Sequence, residues 1–147
     1  MTAKNKVLIG LVIAALVSRI APHYPNFTAM GALAFMGANR NKSLFKIIAL
    51  TFGVLMVTDV FINNFMYPSG TFVLMYKGSI WTYAGFIIYA VAGHYSKSGA
   101  KGIVALIVGS IGFFLLSNLG VFLSEFSLFP RTFSGLAATY AAGLPFY

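Results

Sequence analysis

The sequence predicts an all-α protein, a polytopic transmembrane helical bundle of about six helices that forms one integral membrane domain over residues 1–147. Two observations lead to this prediction. Hydrophobic residues make up 59% of the chain and charged residues only 8%, whereas a soluble domain carries about 25% charged residues. The apolar residues also run in continuous blocks, which argues against the alternating pattern of a β-barrel strand.

Six apolar segments follow one another, joined by short polar linkers, at about residues 7–21, 27–38, 44–65, 72–95, 102–124 and 132–147. The first has the basic start of a signal peptide but no convincing cleavage site, so we interpret it as a membrane helix. The second is short for a span of about 20 residues, which leaves a steep, a protein-buried or a re-entrant segment as options. The last is barely long enough to cross, so either the final helix is unusually short or the C-terminus is incomplete.

The basic residues separate between the two sides of such a bundle. If every segment crosses, seven lie on one side: Lys4, Lys6, Arg40, Lys42, Lys46, Lys97 and Lys101. The other side holds three, Arg19, Lys77 and Arg131. Because cytoplasmic loops are rich in Lys and Arg, we expect a multi-pass membrane protein with its N-terminus in the cytoplasm. The net charge of +8 is then explained by the orientation of the protein in the lipid bilayer. We therefore expect no nucleic-acid partner.

Polar residues gather at the predicted outer ends of the segments, where ionisable groups usually face a partner or a cavity. Asp59 is the only acid clearly within a segment, and Arg19 and Lys77 are candidate partners at similar depth. Asp59 and Asn63 share one helix face, as do Lys77 and Trp81, because each pair is four residues apart. These groups predict a pocket for a small polar or zwitterionic solute, open to the extracytoplasmic side. The candidate substrate-binding residues are Arg19, His23, Asn26, Asp59, Asn63, Lys77, Trp81, Asn118 and Arg131.

Each of these residues also has a purely structural interpretation. Lys77 and Arg131 lie near segment ends, where long basic side chains reach the membrane interface, and Trp81 fits an aromatic belt. A pair formed by Asp59 could serve only the fold. His23 follows a proline in a linker and is more typical of a hydrogen-bonding residue than of a metal ligand. No histidine and carboxylate group has ligand spacing, so neither a metal nor another cofactor is expected.

Catalysis has little support in the sequence. There is no phosphate-binding glycine loop, no H-E-x-x-H and no G-x-S-x-G, and so we do not expect an enzyme. A membrane enzyme that uses Asp59 or Glu125 is the weakest of the alternatives. The chain has no cysteine, which excludes disulfides and thiolate chemistry. Gly10 and Ala14 are small residues one turn apart, which favours close helix packing, either within the bundle or against another membrane subunit.

Three stretches resemble the motifs of an uncharacterised family of small bacterial membrane proteins: "SRIAPHYPNFTAMGALAFMG", "TDVFINN" and "FFLLSNLGVFLSEFSLFPRTFSGLAATYAAGLPFY". The sequence departs from that pattern at Ala29, where a proline is expected, and at Phe122, where a tryptophan is usual. The family looks like the substrate-binding S components of energy-coupling-factor transporters. The resemblance implies a six-helix S-component-like fold in the bacterial cytoplasmic (inner) membrane. It implies partners consisting of a coupling protein with ATPases. It also implies a subunit-docking stripe made of Gly10, Ala14 and Ala15.

Two functions remain open at this point. One is a small-solute-binding subunit of a transporter, which predicts that polar residues from several segments converge on one volume. That set is Arg19, Asp59, Asn63, Trp81 and Asn118. The other is a non-catalytic accessory subunit that packs against a larger membrane protein complex, which predicts an apolar contact face and no cavity.

Overall fold

A computed structural model describes residues 2–21, 28–41, 43–96, 99–125 and 127–146 of the chain, and within them the fold is entirely helical. The helices are α1 (Ala3–Ile20), α2 (Met30–Arg40), α3 (Leu44–Phe61), α4 (Ser79–Tyr95), α5 (Ala100–Leu123) and α6 (Phe133–Gly143). A π-helical turn, Ile62–Met66, continues α3, and a 3-10 turn, Leu144–Phe146, follows α6. The prediction of six helices and an all-α fold is therefore confirmed over the described part of the chain.

Local chemistry explains where several helices begin. The hydroxyls of Thr2, Ser43 and Thr132 each accept a hydrogen bond from a backbone N–H in the first turn of α1, α3 and α6, which satisfies a donor that has no partner inside the helix. Helix α4 begins later than the predicted segment at 72–95. Gly78 has a φ of 87°, a left-handed conformation that a right-handed helix cannot pass through.

Helices α2 and α4 form the centre of the bundle. Helix α2 packs against α1, α3 and α4, and α4 packs against α2, α3 and α5. The crossing of α2 and α4 is so close that a Cβ atom at Gly93 would overlap the carbonyl oxygen of Phe35. The predicted segment at 27–38 is therefore an interior helix of 11 residues, enclosed by the helices around it.

Helices α1 to α5 run in alternating directions. Asn39, near the end of α2, donates a hydrogen bond to the Ser96 hydroxyl just beyond α4, at 2.7 Å. Arg19, near the end of α1, forms an ion pair with Asp59 near the end of α3. The α1–α2, α3–α4 and α5–α6 connections consequently lie at one end of the bundle, and the N-terminus and the other two connections lie at the opposite end.

We call the end with the α1–α2, α3–α4 and α5–α6 connections the mixed-charge end. It carries both acids and bases: Arg19, Asp59, Lys77, Glu125 and Arg131. The opposite, basic end carries bases and no acid, and its described basic residues, all exposed, are Lys4, Lys6, Arg40, Lys46 and Lys101. Lys42 and Lys97 belong to the connections of the basic end but lie outside the described residues. The predicted separation of charge thus coincides with the two ends of the fold.

Among the described residues, two helices are long and apolar enough to cross a membrane: α3 with its π-helical turn, at 23 residues, and α5, at 24 residues. Helix α5 buries only Gly109 and Gly120 within the protein, and large apolar side chains such as Ile103 and Val108 are more than half exposed. An apolar helix with so little of its surface covered needs an apolar environment outside the chain. Length and composition therefore support a membrane protein through two helices, and the six-crossing bundle stays a prediction.

Candidate functional site

A buried polar network joins α1, α3 and α4 at the mixed-charge end. Asp59 is 2% exposed, and its Oδ1 accepts a hydrogen bond from the Arg19 guanidinium within their ion pair. Tyr83 donates its hydroxyl to Asp59 Oδ2 at 2.8 Å, and Arg19 Nε donates to Thr58 Oγ1 at 2.7 Å. Arg19, one of the two partners that the sequence offered, is the partner of Asp59. The sequence interpretation missed Tyr83 and Thr58.

The local structure of α1 and α3 fixes this network in place. The Thr58 hydroxyl donates to the Val54 carbonyl at 2.7 Å, so its lone pairs remain for Arg19. Ser18, the residue before Arg19, accepts a hydrogen bond from the backbone N–H of Ala29 at 2.9 Å, which ties the end of α1 to the start of α2. The end of α1 is therefore fixed to α3 through Arg19 and to the start of α2 through Ser18.

A cavity of about 540 Å³ lies beside this network. Helices α1, α2, α4, α5 and α6 all contribute to its walls, and Arg19 is the residue that α1 provides. The lining residues that lie outside the helices are Thr28, Tyr76, Leu128 and Phe129. They belong to the three connections of the mixed-charge end, so the cavity occupies that half of the bundle.

Aromatic rings form one wall of the cavity. Phe113 lies 4.8 Å from Phe86 and 5.7 Å from Tyr89, measured between ring centroids. The Tyr89 ring fits between α2 and α5, where Cβ atoms added at Gly31 and Gly109 would come within 3.4 and 3.2 Å of it. The wall was not predicted, because Phe and Tyr within apolar segments are more typical of the core than of a site.

Several polar groups in the lining remain available. Two of the five N–H groups of the Arg19 guanidinium are bonded within the described chain. The hydroxyls of Thr28, Tyr89 and Ser110 have no hydrogen-bond partner among the described residues. By contrast, the Tyr76 hydroxyl donates to Thr82 at 3.1 Å, and burial raises its pKa, so this phenol stays protonated at neutral pH.

Four predicted residues divide between the cavity and its surroundings. Arg19 and Asn118 line the cavity, and Asn118 Nδ2 donates to the Phe114 carbonyl at 2.8 Å. Asp59 is not in the described lining and reaches the cavity only through Arg19. Asn63 is also outside that lining, and its side-chain nitrogen is buried without a hydrogen-bond partner among the described residues. The expected convergence is thus limited to two side chains in direct contact with the cavity.

The other described candidates serve different contacts. Lys77 forms an ion pair with Glu125 in which the side chains are 71% and 60% exposed. Trp81 packs so tightly against α5 that a Cβ at Gly120 would overlap its side chain. Arg131 donates to the Ser124 carbonyl at 2.7 Å. These residues share the mixed-charge end with the cavity but do not belong to its described lining. Lys77 and Arg131 lie in connections between helices, and Trp81 faces α5.

Arg131 also lies over the ring of Phe122, with its guanidinium carbon 5.4 Å from the ring centroid. A tryptophan is usual in the resembled family at the position of Phe122. The phenylalanine ring still offers an aromatic face to the Arg131 guanidinium. His23 and Asn26, two further predicted site residues, lie outside the described residues.

The stripe of small residues on α1 is only partly at the surface. Gly10 and Ala14 are exposed, and a Cβ added at Gly10 would meet nothing within 4 Å. Ala15 is 0% exposed and packs in the core. The predicted docking stripe of Gly10, Ala14 and Ala15 is therefore wrong for Ala15. One residue along an α-helix is a rotation of about 100°, which turns Ala15 from the exposed face of Ala14 into the core.

Comparison with known proteins identifies a family. A family model described as a family of unknown function, DUF6580, matches residues 1–147. No curated protein matches the chain, and no solved structure matches it. The geometry of the site therefore carries the functional inference.

Proposed function

The chain belongs to the DUF6580 family of unknown function, and we propose that it is an integral membrane protein that binds a small solute as the solute-binding subunit of a transporter. The observation that carries this proposal is the cavity of about 540 Å³. Its volume falls within the range of about 300–1,000 Å³ that is usual for small-molecule sites. Its lining has the composition of such sites, with aromatic walls and a few polar groups with unused hydrogen-bonding capacity.

The membrane setting follows from charge and exposure. With the basic end in the cytoplasm, the mixed-charge end and its cavity face the extracytoplasmic side of the inner membrane. Helices α2 and α6 have 11 residues each, or about 16 Å, roughly half of the hydrocarbon thickness. Helix α2 is enclosed by other helices, and α6 packs on α5, which is an arrangement that membranes tolerate for short helices.

The chain has no nucleotide-binding motif of its own, so a transporter built with it needs energy from partners or from an ion gradient. The S-component-like interpretation supplies such partners, a coupling protein with two ATPases. Gly10 and Ala14 on the exposed face of α1 are compatible with docking to a helix of a partner. The same face would also serve an accessory subunit of a larger complex. The cavity favours solute binding, because the accessory role predicted a contact face without one.

Retention of a native ligand tests the proposal. The protein would be extracted from its own membrane with the surrounding lipid, purified, and its small-molecule content determined by mass spectrometry. In the Ser110→Phe variant, a large ring replaces a small hydroxyl side chain in the cavity lining. The matched control is Ile111→Phe, since Ile111 is the next residue of α5 and is 44% exposed on the outer surface.

We expect a non-lipid molecule with the wild-type protein and with Ile111→Phe, and its loss from Ser110→Phe. Identical small-molecule content in all three proteins, or lipid alone in all three, contradicts the proposal. The proteins that co-purify in mild detergent then distinguish the two roles. ATPase subunits with a membrane coupling protein support a transporter, whereas large membrane subunits without an ATPase support an accessory role.

A further inference from the structure

The chemistry of the cavity lining narrows the class of solute. We propose that the solute is a flat aromatic carboxylate whose ring lies against Phe86, Tyr89 and Phe113 and whose carboxylate is bound by Arg19. This inference rests on the proposed function, because it specifies what the cavity of the solute-binding subunit accepts. It differs from the small polar or zwitterionic solute that the sequence predicted.

The aromatic wall favours a flat ring. The ring planes of Phe86 and Phe113 are inclined at 49°, and those of Tyr89 and Phe113 at 47°. Inclined rings present both faces and edges to the cavity, and these are the surfaces that another aromatic ring packs against. A sugar or another fully hydrated solute would lose its hydrogen bonds with water on such a wall and regain few of them.

The distribution of charge favours an anion. Arg19 is the one formally charged residue in the described lining, and no carboxylate appears there. Asp59 is 2% exposed and already binds Arg19 and Tyr83. An ammonium group of a zwitterion would therefore find no acidic partner in the lining. The mixed-charge end as a whole has three bases and two acids, which leaves one positive charge to attract an anion.

The unused hydrogen bonds point to the same class. Among the described residues, Arg19 bonds only Thr58 and Asp59 through its side chain, which leaves three of its N–H groups for a ligand, and a guanidinium has a geometry that suits a carboxylate. The hydroxyls of Tyr89 and Ser110, which have no hydrogen-bond partner in the described part of the chain, line the same cavity. These groups can all donate, so they match a solute that presents acceptor oxygens beside its ring.

A cationic solute is the strongest competitor, because aromatic rings attract cations. The test uses three probes with the same ring: 2-naphthoate, 2-naphthamide and 2-naphthylmethylammonium. Isothermal titration calorimetry with the full chain in lipid nanodiscs measures the three affinities. We expect naphthoate to bind about tenfold more tightly than either of the others, the ratio that a charge-assisted hydrogen bond provides.

The role of Arg19 needs a variant that preserves the fold. Arg19→Gln combined with Asp59→Asn removes both charges together and keeps polar groups of similar size at both positions, so no buried charge is left unpaired. We expect this double variant to bind naphthoate and naphthamide with similar affinity. Arg131→Gln removes a cation from the same end at a residue outside the described lining, and we expect it to retain the preference for naphthoate.

Five outcomes overturn the assignment. Equal affinities for the three probes, or tighter binding of the ammonium probe, show that charge recognition is not that of a carboxylate site. A preference for naphthoate that survives in the double variant shows that Arg19 does not bind the carboxylate. Naphthoate binding that Ser110→Phe leaves intact places the probe outside the cavity. Failure of all three probes rejects the aromatic class, and the proposed function still stands if a native ligand co-purifies and is lost from Ser110→Phe.

Discussion

The mixed-charge end and the basic end of the bundle both carry polar residues at helix ends, but they use them differently. At the basic end, Arg40, Lys46 and Lys101 are exposed, and Gly93 lets α2 and α4 meet in close contact. At the mixed-charge end, Arg19 and Asp59 are drawn into the protein beside a cavity. The comparison shows that charged residues at the two ends of one bundle can differ in burial, and burial determines how much stability each should contribute.

The largest expected difference between the ends comes from removing one partner of the buried pair. Arg19→Ala leaves Asp59 buried without its cation, which costs about 3–5 kcal/mol of unfolding free energy. Arg40→Ala, at an exposed position of the basic end, should cost less than about 0.5 kcal/mol. Denaturant unfolding in detergent micelles measures both. Similar losses for the two variants would show that the Arg19–Asp59 pair is no more important than a surface charge.

The next largest effect concerns the third member of the network. Tyr83→Phe removes the hydroxyl that donates to Asp59, and a hydrogen bond to a charged group is worth about 1.5–3 kcal/mol. The control is Tyr140→Phe, which removes a bond of 2.9 Å from a hydroxyl to the neutral carbonyl of Leu115 and should cost about 0.5–1.5 kcal/mol. If Tyr83→Phe is no more destabilising than Tyr140→Phe, Asp59 does not depend on Tyr83.

Packing at the basic end provides the third comparison. Gly93→Ala forces α4 away from the Phe35 carbonyl, and overpacking of this kind costs about 1–3 kcal/mol. Gly53→Ala, on the exposed side of α3 where a Cβ would meet nothing within 4 Å, should be neutral or stabilising by up to about 1 kcal/mol. Unfolding of the two variants side by side checks this, and equal stabilities would contradict the close crossing of α2 and α4.

The smallest effect is expected at the exposed ion pair of the mixed-charge end. Lys77 and Glu125 are both largely exposed, so Lys77→Ala should change stability by no more than about 1 kcal/mol. The change should shrink further when the salt concentration rises, because salt screens exposed charges. Unfolding at low and high salt measures it. A loss as large as that for Arg19→Ala would mean that burial does not distinguish the two pairs.

Much of the fold was predictable from the continuous apolar segments and from the requirement that a buried charge has a partner. The six helices follow from the first argument, and the second limited the partner of Asp59 to Arg19 or Lys77. The start of α4 could not be predicted in this way. Residues 72–78 are apolar enough for a helix, but the left-handed backbone of Gly78 prevents α4 from extending back through them. Composition alone carries no information about that conformation.

The site was less predictable, because it depends on how each helix is rotated about its axis. Lys77 and Trp81 lie at the predicted end, yet tertiary packing turns Trp81 onto α5 and leaves Lys77 at the surface. Phe86, Tyr89 and Phe113 were indistinguishable in sequence from core aromatics. One usable signal was the spacing of small residues, since Gly31 and Gly109 make the room that the Tyr89 ring occupies.

The central claim is that the cavity opens on the side opposite to the basic end, and cysteine labelling tests it most directly. The chain has no cysteine, so single cysteines can be introduced at Ser117, in the cavity lining, and at Lys101, at the basic end. Spheroplasts are treated with a membrane-impermeant maleimide before and after permeabilisation. We expect Ser117→Cys to be labelled in intact spheroplasts and Lys101→Cys only after permeabilisation. Labelling of Ser117→Cys only after permeabilisation, with Lys101→Cys accessible from outside, would contradict the account.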